Sequence, residues 1–195
     1  MPHPPLILAS SSPRRLALLR QAGIEPERLE PPKVDEAPAP REQPRAHALR
    51  LAHAKNAAIV ARLGAEPAFV VAADTVVACG RRILPKTTDV ADAERCLRLL
   101  SGRRHRVYTG VVVSGPSGRA ARVAMTVVRF KRLHEDELAW YLASGEWQGK
   151  AGGYAIQGRA EAFVAAINGN WSNVVGLPLA VTLDLLRGLG WRPDP

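Results

Sequence analysis

A chain of 195 residues with 47% apolar and 23% charged residues has the length and composition of one ordinary globular domain, spanning 1–195, able to bury a full core. This excludes a collagen-like, solenoid or wholly disordered chain, and no apolar run approaches the roughly 18 residues of a membrane span. The net charge of +9 invites a polyanionic partner, but the 27 basic residues are dispersed, aromatic residues make up only 5%, and no helix-turn-helix, RNP or zinc-finger pattern accompanies them. Phosphorylated small molecules are polyanions too, and they suit this chain better than nucleic acid. The start "MPHPPLILASSSPRR" lacks a basic segment before its short apolar run, so a cytoplasmic protein without a membrane partner is expected. Cys79 and Cys96 show no CxxC spacing and read as small buried hydrophobes, not as a zinc site or a required disulfide.

In chain order, Leu6 to Ala9 predicts a short strand, and Ser12-Pro13 supplies an N-cap and first-turn proline for a helix running to about Ala22. After the proline-rich loop "EPPKVDEAPAPREQP", alanine and leucine recur in helical rhythm from Arg45 to about Leu63, stopped by Gly64. "AFVVAAD" is a strand-length apolar run terminating in an acid, the pattern of a strand covered on both faces whose end opens onto a site. "TVVACGRRILPK" predicts a hairpin with Gly80 at its tip, and Asp89 caps a helix to Leu100. Two alternating strands flank the turn "SGPSG", and a helix follows from about Glu135 to Ala143. "GKAGGYAIQG" is too glycine-rich for a helix and too irregular for a strand, so it predicts a loop whose backbone approaches something closely. The strand "AFVAAIN", a turn at Gly169, the loop "WSNVVGLP" and a final helix from Pro178 to about Leu189 complete an α/β alternation.

Three clusters have the residue types for phosphate chemistry. A helix start offers unpaired N–H groups and positive dipole, so Ser10, Ser11 and Ser12 with Arg14 and Arg15 can ring phosphate oxygens; the same stretch also reads as a capped helix with two solvated arginines. Asp74, beside Thr75, can hold a divalent cation or activate water, or cap a turn. With Glu36 it makes a sparse pair of metal ligands, sufficient for magnesium when substrate phosphates supply further oxygens. Three of the five lysines, Lys55, Lys86 and Lys150, stand beside these segments as point charges on flexible stems. The histidines (His3, His47, His53, His105 and His134) show no i, i+4 pair and read as structural or surface residues.

"LILASSSPRR", "RLAHAKNAA", "VVAADTVV", "LLSGRRHRVYTGVVV", "GKAGGYAIQG" and "NVVGLPL" resemble, in order and spacing, the motifs of the Maf family, from about Leu6 to Leu186. The resemblance implies hydrolysis of a nucleoside triphosphate between its α and β phosphates with a divalent metal, Mg2+ or Mn2+. It also implies a mixed, elongated central sheet flanked by helices, a nucleotide cleft between two lobes, a homodimer and an association with septum formation. Carried over by position, Ser10, Arg14 and Arg15 fall on the phosphate-binding residues, Glu36 on the loop acid, Lys55 on the helix lysine and Asp74 on the proton acceptor. Lys86 falls on the lysine after the hairpin, and Thr75 and Gln157 on positions linked to substrate choice. "KAGGYAIQG" resembles the subgroup acting on dTTP and UTP and differs from the serine-and-glutamate version that acts on 7-methyl-GTP. A glutamine amide offers both donor and acceptor to the imide edge of a pyrimidine. Pro85-Lys86-Thr87 departs from the family's Gly-Lys-Pro, Tyr154-Ala155 from its tyrosine-glycine, and Trp147 and Trp171 flank the loop where they can reshape a base pocket. The rival readings are a pyrophosphatase for modified or noncanonical nucleotides, including 7-methyl-GTP, a nucleotide-binding division regulator that does not hydrolyse, and a nucleic-acid binder.

Overall fold

The computed structural model describes residues 4–193. Near one side of the sheet lies β1 (Leu6–Leu8), parallel to β2 (Arg28–Leu29) on one edge and to β3 (Phe69–Cys79) on the other. β4 (Arg82–Leu84) folds back on β3 through the turn at Gly80, with Val77 opposite Leu84, as the hairpin pattern predicts. β5 (Arg104–Gly115), β6 (Gly118–Phe130) and β7 (Val164–Asn168) follow as antiparallel neighbours. The sheet is therefore seven-stranded and mixed, in the order β2-β1-β3-β5-β6-β7 with β4 paired only to β3.

The sheet has a gap beside β3. One edge of β3 is paired to β5 continuously from Val70 to Ala78. The other is paired to β1 only at 69–71 and to β4 only at 77–79. The intervening residues 72–76 have a strand neighbour on one edge alone, and Asp74 and Thr75 lie in the middle of them. The apolar run predicts a strand ending at Asp74, whereas β3 continues to Cys79 because Thr75, Val76 and Val77 are β-branched and keep pairing with β5. What ends there instead is β1.

Helices cover both faces of the sheet, giving the expected α/β class. α2 (Pro44–Leu63) lies alone on one face, with Ile59 packed in a small cluster with Ile7, Val70 and Ala72. It can sit close because Gly110 of β5 carries no side chain: a Cβ there would stand 2.4 Å from the Ala48 carbonyl oxygen. On the opposite face α1 (Pro13–Gln21), α3 (Val90–Leu100), α4 (Glu135–Ala143) and α6 (Leu179–Gly188) close the larger core with Leu19, Leu97, Leu100, Tyr141 and Leu186, all fully buried. Each such side chain contributes about 1.5–3 kcal/mol through burial.

Three local expectations change. "WSNVVGLP" opens with a short helix, α5 (Trp171–Val175), because Asn173 is drawn into the core by hydrogen bonds from its Nδ2 to the Val107 carbonyl and Thr126 Oγ1. A short 3-10 helix, Arg159–Phe163, precedes β7, so only the last five residues of "AFVAAIN" are strand. Ser12 takes the N-cap position of α1 with extended backbone, but its hydroxyl makes no capping bond. β2 had no periodic signal; parallel pairing with β1 creates it. Cys96 is buried and Cys79 half-buried, both reduced. Among the described residues no helix is long and apolar enough to cross a membrane. His3 lies outside the described residues.

Candidate active site

The gap beside β3 opens into a cleft of about 380 Å3, a size suited to a small ligand, walled by the start of α1, by residues 148–157 and by 174–176. Alternation along β3 sends Asp74 and Thr75 to opposite faces of the sheet, and the gap lets one cleft reach both.

On the Thr75 side stands Arg15, partly buried. Its Nε donates to the Gly176 carbonyl (2.8 Å), one terminal nitrogen to Ser10 Oγ (3.1 Å) and the other to Thr75 Oγ1 (3.4 Å). All three acceptors are neutral. Burial lowers the Arg15 guanidinium from its ordinary value, and the field of Asp74 opposes that shift. Ser10 Oγ also accepts from the Ser12 amide (3.1 Å), which fixes the turn into α1. Burial likewise lowers Arg14, which lines the cleft. The result is a helix start, a hydroxyl-rich turn and two guanidinium groups facing one volume, an arrangement suited to an anion.

On the Asp74 side four charges form a ladder. Lys55, on the buried face of α2, places Nζ 2.5 Å from Asp74 Oδ1 and 2.6 Å from Glu36 Oε1. Lys86 pairs with the other oxygen of Glu36. Lys55 and Asp74 are only 6% and 4% exposed, so α2 and β3 must deliver them together. Burial alone would raise the Glu36 carboxyl, yet the hydrogen bonds from Lys55 and Lys86 prevail and hold it at about 2. The second oxygen of Asp74 has no hydrogen-bond partner among the described residues. Behind the ladder a second, more apolar cavity of about 320 Å3, lined by His47, Leu51, Val76 and Leu84, also touches Glu36, Asp74 and Lys86.

The glycine-rich segment is the expected loop and forms the third wall. Gly152 and Gly153 adopt consecutive positive φ values of 69° and 72°, which only glycine takes readily, and Gly153 presses against Ala93 of α3. The Ala155 amide donates to Tyr141 Oη (3.1 Å), and Tyr154 Oη meets His105 Nε2 (2.8 Å). Ala155, Ile156 and the exposed Gln157 then line the cleft, as does Lys150. The lysine-bearing segment is tied to this loop: the Thr87 amide donates to the Lys150 carbonyl (3.1 Å) and Thr87 Oγ1 to that of Trp147 (2.7 Å). A proline at 87 could form neither bond.

Ser10, Arg14, Arg15, Glu36, Lys55, Asp74, Thr75, Lys86 and Gln157 thus all border one cleft. Trp147 and Trp171 do not: Trp147 is buried with Nε1 donating to the Leu142 carbonyl, and Trp171 faces outward at the start of α5. Sequence reading missed the layer beneath Thr75. Thr75 and Thr109 share a 3.0 Å hydrogen bond, and Thr109 Oγ1 donates to the Asn173 carbonyl (3.1 Å). The signal lay in "RVYTGVVV" and "NVVGLPL", where polar residues interrupt apolar runs.

The family described as Maf-like protein matches residues 5–189. The chain is 57% identical over 192 residues to a protein of Maricaulis maris named dTTP/UTP pyrophosphatase, covering 98% of this chain and 91% of that one. A protein of the same name from Caulobacter vibrioides is 56% identical, with 97% and 98% covered. One from Rhodopseudomonas palustris is 57% identical, with 97% and 94% covered. Motif order, a mixed α/β sheet and near-full-length similarity agree: the chain belongs to the Maf family.

Proposed function

We propose that this protein hydrolyses nucleoside triphosphates at the α–β phosphoanhydride, releasing a nucleoside monophosphate and pyrophosphate, with dTTP and UTP as its substrates. The observation that carries the reading is the convergence, on one cleft, of a half-engaged carboxylate, Asp74, with two lysines and two arginines. The names of the relatives support the substrate class.

The chemistry assigns each side chain a task. Asp74 is held at Oδ1 by Lys55, so its other oxygen accepts the proton of the attacking water as the anhydride bond breaks toward pyrophosphate. Ser10, Arg14 and Arg15 bind phosphate oxygens, while Lys55 and Lys86 meet the charge that grows on the leaving group. Thr75 and Gln157 select the base, Gln157 by offering donor and acceptor together.

Glu36 and Asp74 also fit a divalent cation, Mg2+ or Mn2+. Both touch the same Lys55 nitrogen, so their oxygens already converge on a point that a cation occupies. Two carboxylates are enough for magnesium when phosphate oxygens join them. Such an ion would neutralise phosphate charge. We further propose a cytoplasmic protein that acts on free nucleotides and not on nucleic acid, and, by family resemblance, a homodimer whose role is tied to septum formation.

A nucleotide panel assayed for pyrophosphate release tests this reading: dTTP and UTP should lead, and a preference for a purine or 7-methyl-GTP would overturn the substrate assignment. Asp74→Asn should lower the rate by about 10²–10⁴, the usual worth of a positioned base. Near-wild-type turnover by a folded Asp74→Asn protein would remove Asp74 from the mechanism.

A further inference from the structure

The atom between Glu36 and Asp74 is the Lys55 nitrogen, at 2.6 and 2.5 Å. A primary ammonium wedged between two carboxylates takes the place in charge and in position that a divalent cation would need. We propose that Lys55 is a resident stand-in for that cation: it closes the metal position in the nucleotide-free protein, so metal and nucleotide bind only together. This rests on the metal-dependent hydrolysis proposed above.

Charge balance around the cleft supports the coupling. Asp74 and Glu36 are matched one for one by Lys55 and Lys86, and Arg14, Arg15 and Lys150 add positive charge that pairs with no carboxylate among the described residues. A divalent ion entering alone would raise an already positive site and would displace Lys55 toward other cations. A triphosphate brings more negative charge than one divalent ion cancels, so it gives Lys55 a new partner and leaves both carboxylates to the ion. Lys55 is suited to the exchange. Its flexible stem, rooted in α2, carries a single point charge that one partner can release to another. The second cavity, bordered by both carboxylates, adjoins the same ladder.

The test is Mn2+ binding, read by electron paramagnetic resonance and calorimetry without turnover. Nucleotide-free wild-type protein should bind Mn2+ at least about tenfold more weakly than protein saturated with a non-hydrolysable dTTP analogue, within the usual range of coupling between ligands. Lys55→Met should bind Mn2+ without nucleotide, and Mn2+ should raise its melting temperature while leaving the nucleotide-free wild type unmoved. Adding Asp74→Asn to that variant should abolish the gain. If nucleotide-free wild type binds Mn2+ as tightly as Lys55→Met, or as tightly as its nucleotide complex, Lys55 is no stand-in and the proposal falls, with the hydrolysis reading intact. If the analogue binds but Mn2+ joins neither complex, the metal reading fails. Should Lys55→Met not fold, Lys55→Gln, which removes the charge and keeps a polar stem, takes its place in the same Mn2+ titration.

Discussion

The two sides of the cleft handle positive charge in opposite ways. Arg15 is held by a carbonyl and two hydroxyls, all neutral, so its charge has no counter-ion in contact. Lys55 and Lys86 are clasped by carboxylates. A cation positioned by neutral groups is preorganised for an arriving anion and need not break an ion pair to meet it. A cation already paired must change partners. The cleft thus holds a cation anchored by neutral groups beside cations paired to carboxylates, and substitutions can separate the two.

Among the cations of the cleft, the largest effect is expected at Arg15. Arg15→Met should lower kcat/KM by about 10²–10³, as for loss of one preorganised donor to developing charge. Its melting temperature should hold or rise, because an uncompensated, partly buried charge leaves the fold. A clear drop in stability would mean that Arg15 is structural. Glu36→Gln should act differently, reducing activity about tenfold to a hundredfold and loosening the lysines without removing them. The check is whether its binding of pyrophosphate tightens as Lys55 and Lys86 are freed; unchanged affinity would show that the ion pairs do not restrain them.

Acid titration extends the contrast to two further groups. Glu36 is held at about 2 against an ordinary 4.5, so its contribution to stability is present above 4.5 and lost as the pH falls toward 2. His105 has no acid beside it among the described residues; its Nε2 meets Tyr154 Oη. Burial lowers it from 6.5 to about 4, so the unfolded chain takes up the proton first and stability declines as pH falls from 6.5 to about 4. Its slope should not exceed about 1.4 kcal/mol per pH unit, and His105→Gln should flatten that window in pH-dependent chemical unfolding. A slope unchanged in His105→Gln would assign the loss elsewhere.

The smallest effect concerns an exposed control. Arg104 and Arg129, both exposed, stand directly opposite one another on β5 and β6, and neither has an ion-pair partner among the described residues. Arg129→Gln should stabilise the protein by a few tenths to about 1 kcal/mol, with activity unchanged and the gain shrinking in salt. Destabilisation would show that the two stems pack more than their charges repel.

What was legible in the sequence was local. Pro13, Asp89, Gly80 and the glycines of 152–153 act through their own backbone or their nearest neighbours, so helix starts, the hairpin and the loop follow from them. The cleft residues were found by motif, but their pairing was not. Nothing in the sequence joins Lys55 to both Glu36 and Asp74, separated by long stretches of chain, because that contact is made by α2 docking on β3. The same holds for β2, which exists by pairing, and for α5, which is pulled into shape by the buried amide of Asn173. Asp74 shows the limit most clearly: an acid ending an apolar run marks a site, but the strand continues and the opening comes from the shortness of β1.

The bare backbone at Gly110 gains weight from its register. It is the strand partner of Asp74, and the turn of α2 resting on it, at Ala48, lies seven residues before Lys55, about 10 Å along the helix axis. The helix is thus a lever with its fulcrum on a hydrogen atom. One methyl group at that fulcrum would tilt or lift the rod, and the displacement would be read at the far end as a change in reach between an ammonium and its acid. The gauge of the charged ladder is set by an atom that is not there.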